Sequence, residues 1–248
     1  MKRLSKFLKP AALTAALISV AYLALLLWPQ PLFAYHVSHA KFEVWSDRPI
    51  AAEIGQVLDD AQHRLRSSIL FDGTQPFKVF LCNDRWRLRF FCLGNGEIGG
   101  MCHYDLTRHI FIRQCDIPNN QVVPPPTWKF AQKPLTFSDR PLSYFIAHES
   151  AHAVESRFTG RGQWKYPTWL IEGYADYVAK NGDFDFRQNL RMLKENAPEL
   201  DPAQGLYRRY HLCVQYLLEV KKYTVERLFQ SPPNEAAVLA ELRLLNEI

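Results

Sequence analysis

Two apolar segments between residues 142 and 180 carry a few polar side chains at helical spacing. No other feature limits the folds open to this chain so strongly. The first segment, LSYFIAHESAHAVESRF over 142–158, contains His148-Glu149-Ser150-Ala151-His152. Positions i and i+4 of a helix share one face a turn apart, so both imidazoles can reach one metal ion. Glu149, beside the first histidine, projects toward the open position next to that ion, where it can take a proton from water. The competing reading is a surface helix with two solvated histidines. Phe145, Ile146, Ala147, Ala151 and Val154 argue against it, because they bury the segment. A buried glutamate between buried histidines is costly without a metal or a partner charge.

A catalytic zinc needs a third protein ligand and an open position. The second segment, TWLIEGYADYVAK over 168–180, offers Glu172, 20 residues after His152 (172 − 152). That length lets the chain leave the first helix, turn through Thr159-Gly160-Arg161-Gly162 and return along a second. The expected metal ligands are therefore His148, His152 and Glu172, with Zn2+ as cofactor and Glu149 as general base. Asp176, one turn beyond Glu172, is expected to hold the second nitrogen of a ligating histidine, with His148 as its partner.

Alternation predicts strands over 41–46, 77–82, 98–104 and 108–113, with a turn at 105–107. Ile54, Val57, Leu58, Ala61 and Leu65 predict a helix within 50–70. Six prolines within 116–141 predict a long irregular crossover, either a rim or lid or a solvated connection. Beyond it the pattern is helical: 142–158, with Ser138 or Asp139 as N-cap and Pro141 in the first turn, then 168–180, 205–222 and 233–247. The expected fold is α+β, a small N-terminal mixed β-sheet with one helix followed by a helical subdomain, which the family resemblance given below makes a zincin subdomain.

Residues 11–28, AALTAALISVAYLALLLW, lack charge and follow Lys2, Arg3, Lys6 and Lys9. They are expected to form an N-terminal transmembrane helix with the basic end in the cytoplasm. A signal peptide cleaved near Ala34 is the alternative. Residues 1–34 are thus read as anchor or signal. Residues 35–248 are read as one domain outside the cytoplasm, secreted if cleavage occurs. Export would permit disulfides, and Cys82, Cys92, Cys102 and Cys115 would suit two local bridges. Cys213 reads as a core residue. His36 and His39 read as solvated linker. The net charge of +5 owes much to the first ten residues, so no nucleic-acid partner is expected.

His148-Glu149-x-x-His152 with Glu172 and Asp176 resembles the gluzincins, the MA-clan zinc metallopeptidases with an HExxH…E ligand set. The Glu172-x-x-x-Asp176 spacing is similar to the thermolysin pattern. Trp169-Leu170-Ile171-Glu172-Gly173-Tyr174-Ala175 is similar to the aminopeptidase-N type. The resemblance implies an oxyanion-stabilising tyrosine at the start of a later helix. Tyr207 takes that position, with Tyr210 as substitute. It also implies an edge strand near Gly99-Gly100-Met101 that pairs with an extended substrate. Aminopeptidases carry there a glutamate that holds the free amine. Here Cys102 and His103 follow Met101, which disfavours aminopeptidase specificity. The implied activity is zinc-dependent hydrolysis of peptide bonds in exported or envelope proteins, most simply as an endopeptidase on peptide or protein substrates. The alternatives are a silent binding or scaffold protein on a peptidase fold, and a non-peptidase zinc hydrolase.

Overall fold

The computed structural model describes residues 2–124, 140–160, 162–204 and 206–245. Its centre is a mixed five-stranded sheet in the order β1-β2-β3-β5-β4. The strands are β1 (Tyr35–His39), β2 (Phe42–Ser46), β3 (Phe77–Cys82), β4 (Gly100–Cys102) and β5 (Ile110–Arg113). β1 runs antiparallel to β2, β2–β3 and β3–β5 are parallel, and β4 closes the other edge antiparallel to β5. Two short strands, β6 (Cys115–Asp116) and β7 (Gln121–Val122), form a separate hairpin.

Alternation sorts the side chains between two layers. Phe42, Val44, Phe77, Val79, Leu81, Ile110 and Ile112 face the main core. That core is shared with α2 (Ile54–Leu65), whose buried residues are the five expected, Ile54, Val57, Leu58, Ala61 and Leu65. Phe80, Cys82 and Phe111 face the opposite side. There they pack with Leu88 and Phe91 of α3 (Arg85–Phe91) and with Leu26 at the end of α1 (Lys2–Leu27).

The helical half comprises α4 (Leu142–Thr159), α5 (Thr168–Lys180), α6 (Phe186–Lys194), α7 (Arg208–Gln215), α8 (Val225–Gln230) and α9 (Glu235–Leu244). α7 continues as a π-helical turn over Tyr216–Val220. The α+β class and the mixed sheet stand as expected.

Several expectations are corrected. The sheet carries helices on both faces rather than one helix. Residues 35–39 form an edge strand instead of a linker: His36 stacks on Trp45, and His39 bonds Asp59 at 2.7 Å. Short helices α3, α6 and α8 lie where none is expected, and β6–β7 lies within the expected irregular crossover. Residues 125–139, which include Ser138 and Asp139, fall outside the described residues. Pro141 itself occupies the N-cap of α4.

Among the described residues no helix is long and apolar enough to cross a membrane. This overturns the transmembrane helix expected over 11–28. α1 takes in Pro10, and its last turns are committed to the protein. Leu26 is buried in the α3-side core, and Tyr22 packs edge-on against Phe90 and donates to its carbonyl at 2.8 Å. The five cysteines are free thiols, so the two expected local bridges are not formed.

Candidate metal centre

α4 is enclosed on all sides, with every residue from Leu142 to Ser156 buried. Such a helix is normally apolar all round. Here His148, Glu149, His152 and Glu155 are the polar exceptions that matter. The N-terminal N–H groups of α4 lack a side-chain cap of their own, and a residue from the β6–β7 turn supplies one. The Asn120 carbonyl accepts from Leu142 N–H at 2.8 Å, and Asn120 Oδ1 accepts from Ser143 N–H at 2.9 Å. This fixes the position of α4 relative to the sheet.

Alongside α4 lies α5, started by Pro167 and ended by Asn181 in the left-handed conformation. α5 presents Glu172 to the two histidines. His148 Nε2 lies 3.3 Å from Glu172 Oε2, and His152 Nε2 lies 3.7 Å from the same oxygen. All three ligand atoms lie within 4.8 Å of one another. Two ligands of a tetrahedral zinc, each about 2.0–2.2 Å from the ion, sit about 3.3–3.5 Å apart. The observed spacings and the two-imidazole, one-carboxylate donor set therefore fit a zinc ion. Burial pushes the Glu172 carboxyl up, but His152 and His148 outweigh it and hold the group well below the usual range. Glu172 is thus an anion, as a ligand must be.

Glu149 sits against strand β4. A Cβ on Gly100 would lie 2.9 Å from Glu149 Cγ and 3.1 Å from its Oε1. A Cβ on Gly99 would meet the Phe145 ring at 2.3 Å. The two glycines let the edge strand lie directly on α4. Burial raises the Glu149 carboxyl above its ordinary value, partly opposed by His148 and His152. A carboxylate raised in this way is a better proton acceptor near neutrality.

The groups behind the ligands depart in part from expectation. Asp176 does not touch His148 directly. Tyr144 stands between them, donating its hydroxyl to Asp176 Oδ1 and lying 3.4 Å from His148 Nδ1. The other Asp176 oxygen bonds Lys180 Nζ at 2.6 Å and His211 Nδ1 at 2.9 Å. Burial would raise Asp176, yet Lys180 and His211 keep it well below the usual carboxylate range.

Behind His152 stands Glu155, absent from the expected set: its Oε2 lies 3.2 Å from His152 Nδ1 and also accepts from Gln163. A carboxylate on the far nitrogen fixes a histidine's tautomer and turns Nε2 toward the metal position. The sequence signals are local: Glu155 is i+3 from His152, Tyr144 is i−4 from His148, and Lys180 is i+4 from Asp176. Nothing local marks His211, which α7 brings in from across the fold.

Tyr207 caps α7 in the left-handed conformation at φ 51°. Its ring stacks on His148 with centroids 5.8 Å apart, and burial, then the nearby Glu172 carboxylate, push its hydroxyl well above the ordinary phenol range. Tyr210 lies one ring further out, 6.1 Å from Tyr207. The structure thus brings Tyr207, not Tyr210, to the ligands. Opposite, Tyr104 lies 6.3 Å from His152 and flanks the second histidine. Comparison of the chain with known protein families, with curated proteins and with solved structures finds no match.

Proposed function

We propose that this chain is a zinc-dependent metallopeptidase that hydrolyses peptide bonds within peptide or protein substrates. The observation that carries this reading is the convergence of His148, His152 and Glu172 on one point, with Glu149 buried beside them. Zinc, when bound, supplies a Lewis acid that polarises a carbonyl and lowers the pKa of water to about 7.

The protein's own groups supply the rest. Glu149 takes the proton of the attacking water and returns it to the leaving amine. The Tyr207 hydroxyl would donate to the oxyanion that forms; its ring stack on His148 and the influence of the Glu172 carboxylate on it support this role. Strand β4 ends the sheet, and its Gly100 touches Glu149. An extended peptide adding to that edge would bring its scissile bond to the general base.

The test uses the full-length protein. It is expected to hold about one zinc per chain. It is also expected to cleave members of a fluorogenic peptide library, with loss of activity on chelation and recovery on zinc addition. Glu149→Gln should keep the zinc and lose about 10²–10⁴ in kcat. Metal-free wild-type protein, or a Glu149→Gln variant as active as wild type, would refute the proposal.

A further inference from the structure

α4 turns its two histidines toward α5, while Ala153 and Arg157 of the same helix line a second cleft of about 630 Å³. Lys78 of β3 and Thr107, Arg108 and His109, which lead into β5, form the facing walls. No carboxylate lines this cleft, and among the described residues none of Lys78, Arg108 and Arg157 forms an ion pair. Asp72, the carboxylate that acts on Arg157, is exposed.

The two arginines are held in place. Arg108 adopts a left-handed backbone at φ 59°, a conformation that costs free energy for a side chain of this size. Its Nε donates to Ser156 Oγ on α4 at 2.8 Å, which directs the guanidinium. The Arg157 guanidinium lies over the Phe77 ring, 5.4 Å from its centre. Burial, and then the neighbouring Arg108, pull Arg157 below the usual guanidinium range. Two like charges fixed together in a partly desolvated cleft are unfavourable until an anion joins them.

We propose that this cleft is a binding site for a phosphate group, held by the Arg108 and Arg157 guanidiniums and the Thr107 hydroxyl. Two guanidiniums and a hydroxyl offer more donors than a carboxylate's two oxygens can use. They suit a dianion with several acceptor oxygens, and planar guanidiniums bind such oxygens in pairs. The cleft is larger than the ion, so the phosphate can be free or carried as an ester on a small alcohol.

Calorimetric titration of the full-length protein with inorganic phosphate, at ionic strength held constant with chloride, tests the site without any hydrolysis assay. Saturable one-to-one binding is expected. Arg108→Gln and Arg157→Gln should each weaken it by about ten-fold. Arg108 is exposed, so its variant keeps the fold, which circular dichroism checks. Glycerol phosphate separates the two sources. Tighter binding than inorganic phosphate assigns the spare volume to the ester's alcohol, and equal or weaker binding assigns the site to the free ion. No saturable binding of either compound, or affinity unchanged in both variants, overturns the proposal.

Discussion

Glu155 is wholly buried behind His152, and its Oε1 has no hydrogen-bond partner among the described residues. Burial pushes its carboxyl up to about 7, against the opposing pull of His152. A protein retains so costly a group only where its charge is used, and the direct contact with His152 Nδ1 says where. Replacing Glu155 by Gln keeps an acceptor for His152 and removes the charge that makes the imidazole a stronger donor to a metal. Zinc affinity should fall about 10- to 100-fold, measured by competition with a chromophoric chelator, while the fold survives. Unchanged affinity would reduce Glu155 to a packing residue. The candidate ligand set of His148, His152 and Glu172 is legible in the sequence because the two histidines lie one helical turn apart and Glu172 within one helical hairpin of them. Asp176 is legible as a supporting carboxylate, but its route to His148 is not. That route depends on Tyr144 filling the gap, a matter of side-chain reach rather than spacing.

Helix α7 reaches the site because α5 lets it come close at Gly173. A Cβ there would lie 2.7 Å from the Tyr210 carbonyl oxygen and 2.9 Å from its carbon. Backbone cannot swing aside as a side-chain tip can, so Gly173→Ala must push the two helices apart. Overpacking of this kind costs about 1–3 kcal/mol. The displacement would also lift the Tyr207 ring from His148 and withdraw His211 from Asp176. Gly173→Ala is therefore expected to lower Tm by several degrees and, unlike Glu155→Gln, to lose activity beyond any loss of zinc. A variant with wild-type Tm and kcat would show that the helices tolerate the extra methyl. The long periodic elements are readable at this scale, and α2 buries the five residues its spacing names. Three short helices are not. The RWRLRFF of α3 has too few turns to show a period, and α6 and α8 are similarly brief. β1 escapes because Tyr35–His39 is largely exposed and alternates little in polarity. Only its pairing with β2 makes it a strand.

Across the whole molecule, the end of α1 is tied to the sheet through one histidine. The His109 ring stands edge-on to Phe80 at 5.3 Å, and its Nδ1 lies 3.3 Å from the Leu26 carbonyl. By hydropathy alone the apolar run before Leu26 reads as a span through lipid. Hydropathy along a sequence does not reveal that its last turns pack on α3 and on the far face of the sheet. The cost of burying His109 there makes the union pH-dependent. Burial lowers its pKa from 6.5 to about 4, with the Leu26 carbonyl opposing that effect. The unfolded chain takes up this proton near pH 6.5, and the folded chain does so only near pH 4. Between those values the unfolded state binds more protons, so stability falls as pH falls. A tenfold difference in proton affinity between the two states is worth about 1.4 kcal/mol, and with partial solvent access the loss across this window should be roughly 2 kcal/mol. Urea unfolding from pH 7 to pH 4 measures it. His109→Phe retains the aromatic packing against Phe80 and Phe111 and has no proton to gain, so its stability should fall less steeply over the same range. Parallel slopes for the two proteins would place the acid sensitivity elsewhere than at the α1–His109 contact.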